Sequence, residues 1–141
     1  MILNLCEIAP GVVAFMDPEK LVEYGARCLY PDSDKFEGIH PLVCLSSNGH
    51  ESVWVVLSSK SRYNRTLCVP MSSKRGHITW TGQDSFVYGF DHVWRGPNMA
   101  FQEASHRDRS TPSMRNSVVS EYLPFIRAAV NPALFDYRRT G

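Results

Sequence analysis

The chain has no apolar run approaching the roughly 20 residues that a membrane helix needs, which excludes a helical span. Its opening stretch, Met1 to Ile8, lacks a basic flank and carries Glu7 among its apolar residues, a pattern unlike a secretory signal. A cytoplasmic location is the expectation that follows. The sequence also lacks any C-x-x-C pair. Its four cysteines, Cys6, Cys28, Cys44 and Cys68, are far apart, which disfavours structural zinc and fits reduced thiols used as small core residues. The five histidines, His40, His50, His77, His92 and His106, are scattered, without the paired spacing of metal ligands on one element. No metal and no cofactor are expected, and no internal repeat or low-complexity segment is present.

What remains is the composition of one globular domain. A length of 141 residues with 43% hydrophobic side chains supports a single core over residues 1–130, followed by a C-terminal tail over 131–141. The formal net charge is +1, but its distribution is uneven. Residues 1–39 hold seven acids against three bases, whereas no acid lies between Glu51 and Asp84, a segment that carries Lys60, Arg62, Arg65, Lys74 and Arg75. Such a run is either a solvated face or a phosphate-binding surface.

Periodicity and turn signals give an α+β reading. Val12 to Met16 has strand length, and Asp17 followed by Pro18 and Glu19 caps a short helix that Gly25 ends. Tyr30 to Gly38 is a polar loop. The strongest hairpin pairs 40–46 with 52–58 around Asn48-Gly49. Further strands are expected at 66–70, 77–80, 85–88 and 98–105, and closely spaced strands of this kind favour a small barrel or strongly bent sheet. Val118 to Val130 shows helical spacing. The cap is either Asn116 or Ser117, in which case Pro124 kinks the helix, or Ser120, in which case Pro124 falls near the first turn.

Three stretches carry a family resemblance: Gly11-Val12-Val13, His40-Pro41-Leu42-Val43-Cys44-Leu45-Ser46, and Tyr63-Asn64-Arg65 followed by Thr66 to Ser73. In this order, with a closing helix, they resemble the PemK/MazF type of plasmid-maintenance toxin, although Val55 to Lys60 offers a second register for the last stretch. The family usually has arginine where His40 stands. The resemblance implies an SH3-like, strongly bent antiparallel barrel with a C-terminal helix. It also implies a metal-independent endoribonuclease toxin of a type II toxin–antitoxin system that cleaves single-stranded RNA, forms a homodimer and is inhibited by a small antitoxin protein.

Such cleavage needs a base, an acid for the leaving oxygen and a cation for charge building on the phosphate. Placed by the resemblance at the end of the last apolar strand, the segment His106 to Thr111 supplies these groups. Arg107 is the expected phosphate stabiliser, His106 or Asp108 the proton-transfer group, and Ser110 or Ser72 the hydrogen-bond donor. His40, Lys60, Arg62, Arg65, Ser72, Lys74, Arg75 and Trp94 are the expected RNA contacts. Trp54, Trp80, Trp94, Phe86, Tyr88 and Phe90 fit either burial or stacking on unpaired bases. The competing reading is a non-catalytic SH3-like module of a plasmid or phage accessory protein that binds nucleic acid or a protein partner.

Overall fold

The expected hairpin organises the molecule. The structure is a computed structural model that describes residues 2–29, 38–60, 67–87 and 92–130. Residues 30–37 of the loop expected over 30–38, Arg62, Arg65, Tyr88, Phe90 and the tail expected over 131–141 lie outside the described residues. Strands β1 (Val13–Met16), β2 (Arg27–Cys28), β3 (His40–Ser47), β4 (Glu51–Ser58), β5 (Cys68–Val69), β7 (Ser85–Val87) and β8 (Val93–Pro97) form one sheet, and β6 (Lys74–Arg75) pairs with β9 (Ser117–Val118). Every pairing is antiparallel. Between β3 and β4, Asn48 Oδ1 accepts from His50 N and Glu51 N at 2.9 and 2.8 Å, and Gly49 takes the positive φ of 93° that the turn requires.

The central strand β4 has β3 along one edge and divides its other edge between two partners. Its first half, Glu51 to Val55, pairs with β8, and its end, Leu57 and Ser58, pairs with β7. A register shift between Cys44 and Ser46 bends β3 opposite Val53 and Trp54. The sheet is therefore strongly irregular, and no closed barrel forms among the described residues.

Side chains alternate between two cores. Ala14, Met16, Leu42, Cys44, Trp54, Val56 and Trp94 meet Leu21 of α1 (Pro18–Glu23) and Ala100, Phe101 and Ala104 of α3 (Asn98–Ala104). The Trp54 and Phe101 rings stack at 5.2 Å. On the other face, Val13, Val43, Leu45, Val53, Val55 and Leu57 meet Trp80 of α2 (Ile78–Thr81) and Leu123 and Ile126 of α4 (Leu123–Ala128). Asp17 caps α1 as expected, accepting from Glu19 N at 2.9 Å.

Four local expectations need correction. Asn98 to Ala104 is a helix and not a last strand, because Ala100, Phe101 and Ala104 form one buried stripe at helical spacing. His77 to Trp80 is not a strand either: His77 Nδ1 accepts from Thr79 N at 3.1 Å and caps α2. The closing helix starts at Leu123, with Tyr122 at the cap and Pro124 inside the first turn, so Val118 is left to β9. Trp94, expected among the RNA contacts, lies in β8 and is 1% exposed. No helix of the described residues is long and apolar enough to cross a membrane.

Candidate nucleic-acid interface

The segment that follows α3 runs back along the free edge of β1. Asp17 N donates to Ala104 O, Val13 N to Asn116 O and Val118 N to Gly11 O, at 3.0, 2.9 and 2.9 Å. Between these anchors, residues 106–110 alternate: His106, Arg107 and Arg109 are exposed, whereas Asp108 and Ser110 are 3% and 1% exposed.

Asp108 is what holds this alternation in place. Its Oδ2 accepts from Phe15 N at 2.8 Å and from Asn116 Nδ2 at 3.3 Å, while Oδ1 accepts from Ser110 N at 2.8 Å and from the Ser110 hydroxyl. Arg115 closes the network. It donates to Ser110 O at 2.9 Å and to both oxygens of Glu7 at 2.8 Å, and its Nη1 lies 3.9 Å from Asp108 Oδ1. The Arg115 hydrogen bond holds the Glu7 carboxyl below its ordinary pKa. A carboxylate whose two oxygens each accept inside the fold is a structural anchor. To take a proton from a substrate it would first have to give up these bonds.

Arg107 and Arg109 are the outward products of the same geometry, and neither makes a hydrogen bond or ion pair among the described residues. His106 beside them has Nδ1 3.2 Å from Glu103 O. His40 stands at the same end of the sheet, paired with Met16, with Nδ1 3.1 Å from Leu57 O. Lys60, exposed just beyond the end of β4, is anchored through its backbone N to Ser58 Oγ at 3.2 Å. One end of the sheet thus gathers His40, Lys60, His106, Arg107 and Arg109. Sequence reasoning missed Arg109, the second exposed arginine of the segment, which is set between the buried Asp108 and Ser110.

The other expected contacts are not gathered there. Lys74 is 3% exposed, and its ammonium donates to Trp80 O, Gln83 O and Ser85 Oγ at 3.1, 2.6 and 2.6 Å, 3.9 Å from the centre of the Trp80 ring. Burial pushes its pKa down to about 8. It is a core cation and not a surface contact. Arg75 is exposed, but its Nη1 donates to Ser72 O and Lys74 O at 3.1 and 2.8 Å, and β6 pairs with β9 beside the start of β1, away from His40. Ser72 is exposed on that same turn. Among the described residues of the 60–75 segment, Lys74 is withdrawn into the core and Arg75 lies away from Lys60 and His40, and Trp94 is sealed within the sheet.

Among the described residues no group of three or more His, Cys, Asp or Glu side chains could hold a metal ion. Compared with protein-family models, with curated proteins and with solved structures, the chain matches none, and residues and geometry carry the functional reading.

Proposed function

We propose that the chain binds single-stranded RNA at the basic end of its sheet, as a non-catalytic module of SH3-like type. The observation that carries this reading is the division of labour along 107–110. Asp108 and Ser110 are spent on anchoring the backbone, and Arg107 and Arg109 are left outward with their guanidinium groups open. Guanidinium presents planar, paired N–H donors to phosphate oxygens, and an anchored backbone lowers the entropy lost on docking. Support for an SH3-like barrel comes from β4, which serves β8 and β7 in turn, and from the bend in β3, both features of a strongly curved sheet.

One observation favours a second reading, the metal-independent endoribonuclease toxin. His106 and Arg107 are exposed side by side, a proton-transfer group next to a phosphate-stabilising cation. Asp108 and Ser110 would then position the segment and take no direct part in proton transfer, and a homodimer and an antitoxin protein would be the partners.

Incubating the protein with a small RNA in chelator separates the two. Retardation without cleavage supports the module. Fragments ending in a 2′,3′-cyclic phosphate, lost about a hundredfold in Arg107→Ala while RNA binding persists, support the enzyme. Neither retardation nor cleavage would overturn both.

A further inference from the structure

On the face that carries α1 and α3, the strand register lines up one transverse row at the basic end of the sheet. Met16 pairs with His40, Ser58 pairs with Phe86, and Phe86 pairs with Cys68. Continuing the Leu42–Val56 and Val43–Val55 register sets His40 beside Ser58, in keeping with the approach of His40 to Leu57 O. Leu42, Cys44, Trp54 and Val56 belong to the core under α1 and α3, so His40 and Ser58, two residues further along each strand, share that face. Phe86, directly opposite Ser58, shares it too.

Phe86 is the unusual member of the row. Its neighbours Ser85 and Val87 are buried toward the opposite side, whereas Phe86 is only half-buried and, among the described residues, belongs to neither core cluster. α3 packs on β1 and β8, and at the β7–β5 edge of the same face Cys68 is exposed. A partly exposed aromatic ring beside the buried Ser58, with Lys60 two residues beyond that cross-strand partner and His40 one strand further on, combines a π-face with positive charge. That combination suits the unpaired base of a single-stranded nucleic acid and not a duplex, whose base faces are already stacked.

We infer that Phe86 is a stacking platform for one unpaired base, on a track that runs across the end of the sheet from Arg107 and Arg109 past His40 to Phe86. This deepens the RNA-binding reading and rests on it. With strands about 4.8 Å apart, Phe86 lies three spacings from Met16, or about 14 Å, so the track holds more than one nucleotide. The arginines read the backbone, and the ring reads the fact that a base is free.

The test compares an oligo(A) RNA of about ten nucleotides with an abasic oligonucleotide of the same backbone length, by fluorescence anisotropy over a salt series. The wild-type protein should prefer oligo(A). Phe86→Leu, which keeps the apolar bulk but removes the π-face, should weaken oligo(A) binding about tenfold, leave abasic binding and the salt slope unchanged, and be rescued by Phe86→Tyr. Equal oligo(A) affinity in Phe86→Leu and wild type, or equal wild-type affinity for the two oligonucleotides, would overturn the platform while leaving phosphate binding intact. No binding of either oligonucleotide by the wild type would overturn the underlying RNA-binding reading as well.

Discussion

Asp108→Ala should destabilise the fold far more than an ordinary loop substitution. Removing the carboxylate leaves Phe15 N and Ser110 N without their acceptor, and both donors lie in buried or partly buried surroundings. An orphaned buried donor costs about 1–3 kcal/mol, with bonds to a charged partner at the upper end. Ser110 Oγ and Asn116 Nδ2 also lose an acceptor, but Asn116 still accepts from His77 N through its Oδ1 and keeps most of its role. Arg115 retains Glu7 and Ser110 O. The two backbone donors therefore dominate, and the expected loss is about 3–5 kcal/mol. For a chain of this size, about 3 °C per kcal/mol converts this into a fall in Tm of about 10–15 °C. Thermal and urea unfolding followed by circular dichroism provide the measurement. A shift under about 3 °C would refute the anchoring role. If RNA cleavage vanished at unchanged stability, Asp108 would be a chemical group and not an anchor.

Three further outcomes follow from other side chains. Lys74 binds its proton less readily when folded, with a pKa near 8 against an ordinary 10.5, so the unfolded chain holds more protons between these values and stability should rise with pH across that window. Subtracting the profile of Lys74→Met, which cancels the contributions of Cys44, Cys68 and Tyr122, should leave a rise on the order of 3 kcal/mol; a flat difference would show that the cation is not desolvated. Glu7 has the opposite sense: its lowered pKa contributes stability that is present above the ordinary carboxylate value and lost as pH falls through the folded one, so Glu7→Gln should cost about 1–2 kcal/mol at neutral pH and flatten the acid limb of the urea midpoint. Replacing both Arg107 and Arg109 by alanine should lower RNA affinity and reduce the slope of log K against log salt by about 1.4, two phosphate contacts at roughly 0.7 each; an unchanged slope would mean that neither arginine meets phosphate.

The sequence announced what local chemistry decides. The 40–47 and 51–58 strands, the Asp17 cap and the Asn48-Gly49 turn are specified by neighbouring residues, and all four stand where turn signals and alternation put them. Asn98 to Ala104 misled because its apolar residues suit a strand as well as a helix, and the choice is made by Trp54 and α1, which lie far away in sequence. Lys74 and Trp94 misled for a related reason: residue type predicts exposure only on average, and an ammonium with three good acceptors, or an indole in a central strand, is paid for by tertiary partners. His106 and Arg107 were singled out by the family resemblance, and both are exposed. Separating Asp108 and Ser110 from Arg109 required knowing that β1 offers Phe15 N as a donor.

The attachment of β1 to the segment 104–118 also bears on how the chain folds. Leu3 N to Ser105 Oγ, Phe15 N to Asp108 and Arg115 to Glu7 each join residues about a hundred positions apart. During synthesis β1 can pair with β3 early, yet its other edge stays bare until residue 118 has emerged. A strand edge left open for most of translation invites pairing with another chain, and contacts of such long range form slowly. The nascent protein should therefore be most vulnerable to aggregation in the interval between completion of the 40–58 hairpin and arrival of the segment 104–118 that seals it.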